Sequence, residues 1–383
     1  MDDVSATVVS VGRRWTWSMV LAVATMLIAG LIPSITAADA ATAGTSGQAK
    51  LSLPAPTGPY AVGVRSASVF DPTRIDKTTG RARRLPIRVW YPARGDPAGP
   101  SAPYLSRRIQ KTLETEFGLP SGLLDIDTHA STDAPGRRHV RGVILAQPGA
   151  GNLVAFQTGQ VIELASRGYA VVTMDHPHET LVVEEPDGTL IHGEDPESRP
   201  FTERLLDAAA VLSELPRLVP QAGRRTPIGM FGHSRGGATT AEVMFHHPRV
   251  VAGVDLDGSL RGDVVAAGLD QPFGVMVSRE FPLDDPGLAA FLAKLRGPHP
   301  TRQLDVLHNG YTDWVVFNPQ AARADPALGA KLEGLLPTGT VHSQRAGRRA
   351  LSAQRQFLTR FMKCYLTNDE VRRSCDRHLR HTP

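Results

Sequence analysis

Apolar positions along the chain fall into short runs of strand length, separated by stretches with helical spacing. Residues 85–91 (LPIRVWY) mix β-branched and aromatic side chains and stop at Pro92, the composition of a strand with a breaker behind it. Residues 142–146, 169–174 and 227–231 are continuous apolar runs bounded by Gly, Pro or charge, which is how a strand buried on both faces reads. A helical pattern follows each of them. Residues 157–166 put Val161, Ile162, Leu164 and Ala165 on one face, and 203–215 and 238–245 repeat the spacing. Strand then helix, three times over, predicts a parallel sheet covered by helices on both faces. Residues 250–256, 272–277 and 303–307 extend the strand series, and 349–365 closes it as an amphipathic helix. With no internal repeat and no second core of domain size, residues 60–383 are expected to form one large α/β domain.

The first forty residues break this pattern. Arg13 and Arg14 precede an uncharged run over 15–38, with an apolar centre at 19–32 and a small-residue exit at Ala38-Asp39-Ala40. That is the layout of an export signal, here expected to be cut before Ala41. A retained anchor is the competing reading, weakened as a span by Thr25, Gly30, Pro33, Ser34 and Thr36. Residues 41–59, rich in Ala, Thr, Ser, Gly and Pro, read as a solvated linker. Over the whole chain, 41% hydrophobic and 21% charged residues are ordinary globular usage. The net charge of +4 is too small and too scattered to suggest a nucleic-acid partner. Cys364 and Cys375, the only two cysteines, exclude a disulfide scaffold and any four-thiolate metal site. In an exported chain they are expected to form one disulfide across the turn after the last helix.

Candidate chemistry centres on Gly232-His233-Ser234-Arg235-Gly236-Gly237, placed between the strand at 227–231 and the helix at 238–245. A nucleophile elbow needs a sharp strand-to-helix turn with small flanking residues, because the serine backbone is strained and its neighbours must clear the turn. Gly232 and Gly236 meet that need. A serine hydroxyl becomes a useful nucleophile only when an imidazole takes its proton, and a carboxylate must fix that imidazole's tautomer. In this strand-turn-helix context the chain order is serine, acid, histidine. Of the histidines far enough past the elbow to be the base (His299, His308, His342, His378 and His381), only His308 follows a strand-like run and has a loop, Asn309-Gly310-Tyr311, to aim it. The acid is Asp257, at the end of the run 250–256, or Asp284 or Asp285 after the next strand, and spacing leaves these open. Asp255 lies two residues before Asp257 on the same strand.

These residues resemble the α/β-hydrolase serine esterases of the plasma platelet-activating factor acetylhydrolase type and their bacterial relatives. The similarity runs over about 85–317 and rests on GHSRGGAT around Ser234, VDLDG ending just past Asp257, QPFGVMVSREF from Gln271 and LHNGYTDW around His308. The resemblance implies an α/β-hydrolase fold and a triad of Ser234, Asp257 and His308, since that family carries its acid directly after the strand that follows the nucleophile helix. It also makes GVILAQPGAGN the oxyanion loop, with Pro148 where many members have histidine, and the backbone N–H groups of Ala150 and Arg235 the oxyanion hole.

The expected function is that of a secreted carboxylic ester hydrolase for short acyl or lipid esters. It would work through an acyl-serine and need no metal or organic cofactor. A small-molecule or lipid ester is the expected partner, brief contact with a lipid interface is compatible with it, and the oligomeric state is left open. A polyester or cutin hydrolase is the alternative within enzymes, and a catalytically silent binding protein of the same fold the alternative outside them. Asp175-His176-Pro177-His178-Glu179 invites a metal reading, but its histidines flank a proline on a loop without a third ligand. It is better read as a loop lining the site. His246-His247 read as polar residues at a helix end, and Arg372, Arg373, Arg377 and Arg380 as a solvated tail.

Overall fold

Strands β5 (Val143–Gln147), β6 (Ala170–Met174), β9 (Ile228–His233), β10 (Val250–Leu256) and β11 (Phe273–Val277) are apolar almost throughout. Nearly every one of their residues is buried, so both faces must be covered. The computed structural model describes residues 49–76, 78–95, 99–367 and 375, and the expected export signal at 1–40 lies outside them. With β1 (Val62–Ile75), β2 (Ala82–Pro92), β3 (Ser101–Pro103), β4 (Asp127–Thr132) and β12 (Thr301–Gln303), these strands form one ten-stranded sheet in the order β12-β11-β10-β9-β5-β6-β2-β1-β4-β3. The segment from β12 to β6 is parallel, and β2 and β1 continue it antiparallel. A separate hairpin joins β7 (Val182–Glu184) and β8 (Leu190–His192).

Alternation along the strands sorts the core into two halves. Ile144, Ala146, Phe231 and Val254 face Val161 and Leu164 of α2 (Thr158–Ser166) and Leu358 and Phe361 of the last helix, α9 (Gln344–Tyr365). Val143, Leu145, Met230 and Val275 face Val211 of α3 (Phe201–Leu218) and Ala241 and Val243 of α4 (Arg235–His246). Helices thus cover both faces, as the repeating pattern predicts. Between α1 (Arg107–Glu116) and α9 lie α5 (Asp263–Ala267), α6 (Pro286–Leu292), α7 (Trp314–Ala324) and α8 (Pro326–Leu335) as well.

Two segments differ from expectation. The strand expected at 303–307 ends at Gln303, because the Val306 N–H turns back onto the Leu304 carbonyl and the Leu307 N–H bonds to Thr338. The chain therefore leaves the ladder before His308, which opens a short 3-10 turn. Residues 49–59 differ from the solvated linker expected at 41–59. Leu51 and Leu53 are buried, Thr57 bonds to Glu163, and the Arg355 guanidinium donates to the carbonyls of Pro54 and Ala55. Among the described residues no helix is long and apolar enough to cross a membrane.

Candidate active site

The C-terminal ends of the parallel strands collect every residue in question, as ligand sites of open α/β sheets do. Ser234 stands between β9 and α4 at φ 54°, ψ −124°. A left-handed backbone is costly for a residue with a side chain, and it holds here because the turn is closed from both sides. The Ser234 N–H donates to the Leu256 carbonyl at 2.8 Å, and its own carbonyl accepts from Gly237 at 2.9 Å. A Cβ on Gly232 would fall inside the Gly236 backbone, and one on Gly236 would lie 2.6 Å from the Gln147 carbonyl oxygen. Both glycines are thus sterically required, and the side chain they carry outward is only 8% exposed.

Asp257 follows β10, also left-handed at φ 62°. Its Oδ1 accepts the Ser278 N–H and its Oδ2 meets His308 Nδ1, both at 2.6 Å. The second contact favours the tautomer with the proton on Nδ1, which leaves Nε2 bare. His308 is 37% exposed at the side chain while Asp257 is buried. Of the other acids considered, Asp285 caps α6 by accepting from Gly287 and Leu288, and Asp284 is exposed. Asp255 is buried below Asp257. Burial first, and then the Asp257 charge, push its carboxyl well above the usual range, which favours the protonated form.

One residue between the two elbow flanks escaped the sequence reading. His233 is buried, donates from Nε2 to the His308 carbonyl at 3.0 Å, and packs its ring 4.6 Å from the His308 ring. Burial, and then the neighbouring His308, depress its pKa well below the ordinary histidine range. It is therefore a neutral brace that ties the backbone of His308 to the elbow. Its place in the Gly-x-Ser-x-Gly run was visible, but no local pattern says where the variable position points.

The loop after β5 lies against the elbow. A Cβ on Gly149 would come 3.2 Å from Ser234 Cβ, which puts the Gly149–Ala150 peptide beside the serine. Arg235 opens α4, so its N–H lies at the positive end of the helix dipole. The loop after β6 holds Asp175-His176-Pro177-His178-Glu179. His176 pairs with Asp207 at 2.9 Å and His178 with Asp76 at 2.6 Å, so each imidazole is engaged by its own carboxylate. Among the described residues, Glu242, His246 and Asp263 bring ligand atoms within 4.8 Å of one another. Glu242 already accepts the N–H groups of Asp263 and Val264 at the start of α5. The arginines at 372, 373, 377 and 380 lie outside the described residues.

The fold is shared with a solved structure, a ferulic acid esterase from Streptomyces cinnamoneus. The likeness has a TM-score of 0.68 at 26% identity, over 83% of this chain and 93% of that one. The chain has the α/β-hydrolase fold. No family model matches it. A curated relative, described as a probable 1-alkyl-2-acetylglycerophosphocholine esterase of Arthroderma benhamiae, is 32% identical over 243 residues. The match takes in 57% of this chain and 61% of the relative, so the chain spans about three-fifths of that relative's length. The resemblance to acetylhydrolase-type esterases and the fold it implied are both borne out.

Proposed function

We propose that the chain is a secreted serine carboxylic ester hydrolase for short acyl or lipid esters. The observation that carries this reading is the 2.6 Å contact between His308 Nδ1 and Asp257, made beside an elbow that holds Ser234 in a strained conformation. The esterase names of both relatives support it. Secretion draws support from the Cys364–Cys375 disulfide, a bond that persists in oxidising compartments.

In the reaction, Ser234 Oγ attacks the ester carbonyl as His308 Nε2 takes its proton, and Asp257 stabilises the imidazolium. The Ala150 and Arg235 N–H groups receive the charge on the carbonyl oxygen. Collapse of the tetrahedral species breaks the bond to the alcohol, which leaves with the proton from His308. Water, deprotonated by His308, then releases the acid and restores the serine. Each oxyanion donor is worth about 3–4 kcal/mol, judged from single deletions in other enzymes.

The test is a panel of p-nitrophenyl esters from acetyl to long acyl chains, with an acetylated phospholipid, a ferulate ester and a polyester film, on the wild type and Ser234→Ala. The proposal expects turnover highest on a short acyl or lipid ester and reduced about 10³-fold or more by the substitution. Preference for the film would favour a polyester hydrolase. Absence of turnover throughout would favour a silent binding protein.

A further inference from the structure

The segment Asp175–Glu179, read from its sequence as a loop lining the site, ends in a buried carboxylate that links the loop after β5 to the start of α4. Glu179 is met by Arg204 of α3 through Nε at 2.8 Å and Nη2 at 2.6 Å. The same guanidinium donates from Nη1 to the Pro148 carbonyl at 2.8 Å and from Nη2 to the Gly149 carbonyl at 3.2 Å. The same Glu179 Oε1 also lies 3.4 Å from Arg235 Nη1, which donates to the Pro196 carbonyl at 2.6 Å. Arg204, Glu179 and Arg235 are all nearly inaccessible to solvent. A buried fork of this kind is geometrically exacting, because each guanidinium N–H has a fixed direction.

The peptide bond converts that fork into a direction for the donor. In a planar trans peptide the C=O of one residue and the N–H of the next point opposite ways. With the Gly149 oxygen drawn to Arg204, the Ala150 N–H is turned to the other side of that peptide. Gly149 itself packs against Ser234. Gly151, left-handed at φ 68°, bridges to Thr180, so the loop is tied to the neighbour of Glu179 a second time.

On the esterase reading above, we infer that the Arg204–Glu179 pair, linked to Arg235, is the positioning device of the oxyanion hole: it sets the Ala150 N–H and the start of α4 in register with one another. Neither Arg204 nor Glu179 touches the substrate in this account. They act through two backbone N–H groups contributed by separate parts of the chain, and a polar group that is off by about 1 Å costs up to about 100-fold in rate.

The test compares Arg204→Lys and Glu179→Gln with wild type on p-nitrophenyl acetate, with rates expressed per active site titrated by a p-nitrophenyl phosphonate. Lysine keeps the charge but cannot hold two carbonyls and a carboxylate in a fork; glutamine keeps the shape of glutamate and removes its charge. The inference expects kcat per titrated site to fall about 10- to 100-fold in Arg204→Lys, with KM within about 3-fold and the acid limb of the pH profile unmoved, since His308 and Asp257 are untouched. A purely structural pair would lower the titratable fraction or the melting temperature and leave kcat per site near wild type, and that result would overturn the inference. Should Arg204→Lys yield no titratable sites, Glu179→Gln decides on the same criterion. Failure of the wild type to hydrolyse the ester or take up the phosphonate would instead sink the esterase reading.

Discussion

Ser234 and Asp257 both sit in the left-handed region, a conformation that costs about 1–2 kcal/mol for a residue with a Cβ. The surrounding bonds hold them there: Leu256 and Gly237 on the Ser234 backbone, Met276 on the Asp257 N–H. Strain kept at two adjacent positions aims both side chains out of the sheet. Asp257→Asn should cost about 10⁴-fold in kcat, as loss of the orienting carboxylate does in other triads. Asp284→Asn and Asp285→Asn should leave kcat close to wild type. Steady-state kinetics of the three variants decides the assignment, and a crippled Asp284 or Asp285 variant beside an active Asp257→Asn would reverse it. Asp255 gives a stability prediction. A carboxyl with a raised folded-state pKa contributes fully below the unfolded value of about 3.9 and loses that contribution as pH rises toward the folded value. Asn in its place has no proton to lose. Asp255→Asn should therefore match wild type near pH 4 and melt about 2 °C or more above it at pH 8. A gap that stays constant from pH 4 to pH 8 would show that Asp255 is not held protonated.

At the scale of elements, the central strands and the helices behind them were legible because each is a local pattern: a buried apolar run, then an amphipathic turn of helix. The elbow was legible for the same reason, its two glycines standing next to the strand and helix they join. The edges were not. β1 (Val62–Ile75) pairs with β2 on one side and β4 on the other, but much of its length is partly exposed, so its sequence alternates without a continuous run. Residues 49–59 have the composition of a linker and are fixed by partners far along the chain, Glu163, Gln320 and Arg355. No short window contains that information. The triad's spacing left three acids open because the choice depends on which loop approaches His308, and only the resemblance separated them. If the 49–59 segment is part of the fold, Leu53→Ala should cost about 2–5 kcal/mol, as truncation of buried leucines does. Denaturant unfolding measures it, and a change below about 0.5 kcal/mol would restore the linker reading.

Across the whole molecule, α9 packs its buried face on the sheet and carries Cys364 at its end. Cys364 joins Cys375 with the two Cα atoms 5.7 Å apart. Closing so short a loop should stabilise by about 2–3 kcal/mol in the chain-entropy model. Cys375→Ser should lower the unfolding free energy by that amount, while thiol titration of the denatured, unreduced protein finds no free thiol; two titrated thiols would contradict the bond. The account as a whole rests on one covalent event at one residue. Intact-protein and peptide mass spectrometry after treatment with a p-nitrophenyl phosphonate, in the presence of a chelator, examines it directly. The expected result is one phosphonyl group per chain, located on Ser234, with hydrolysis lost in proportion to labelling and unaffected by the chelator alone. Hydrolysis that survives full exposure to the phosphonate, leaves Ser234 unlabelled, and disappears with chelator until zinc is restored would show that a metal-activated water, and not Ser234, carries the chemistry.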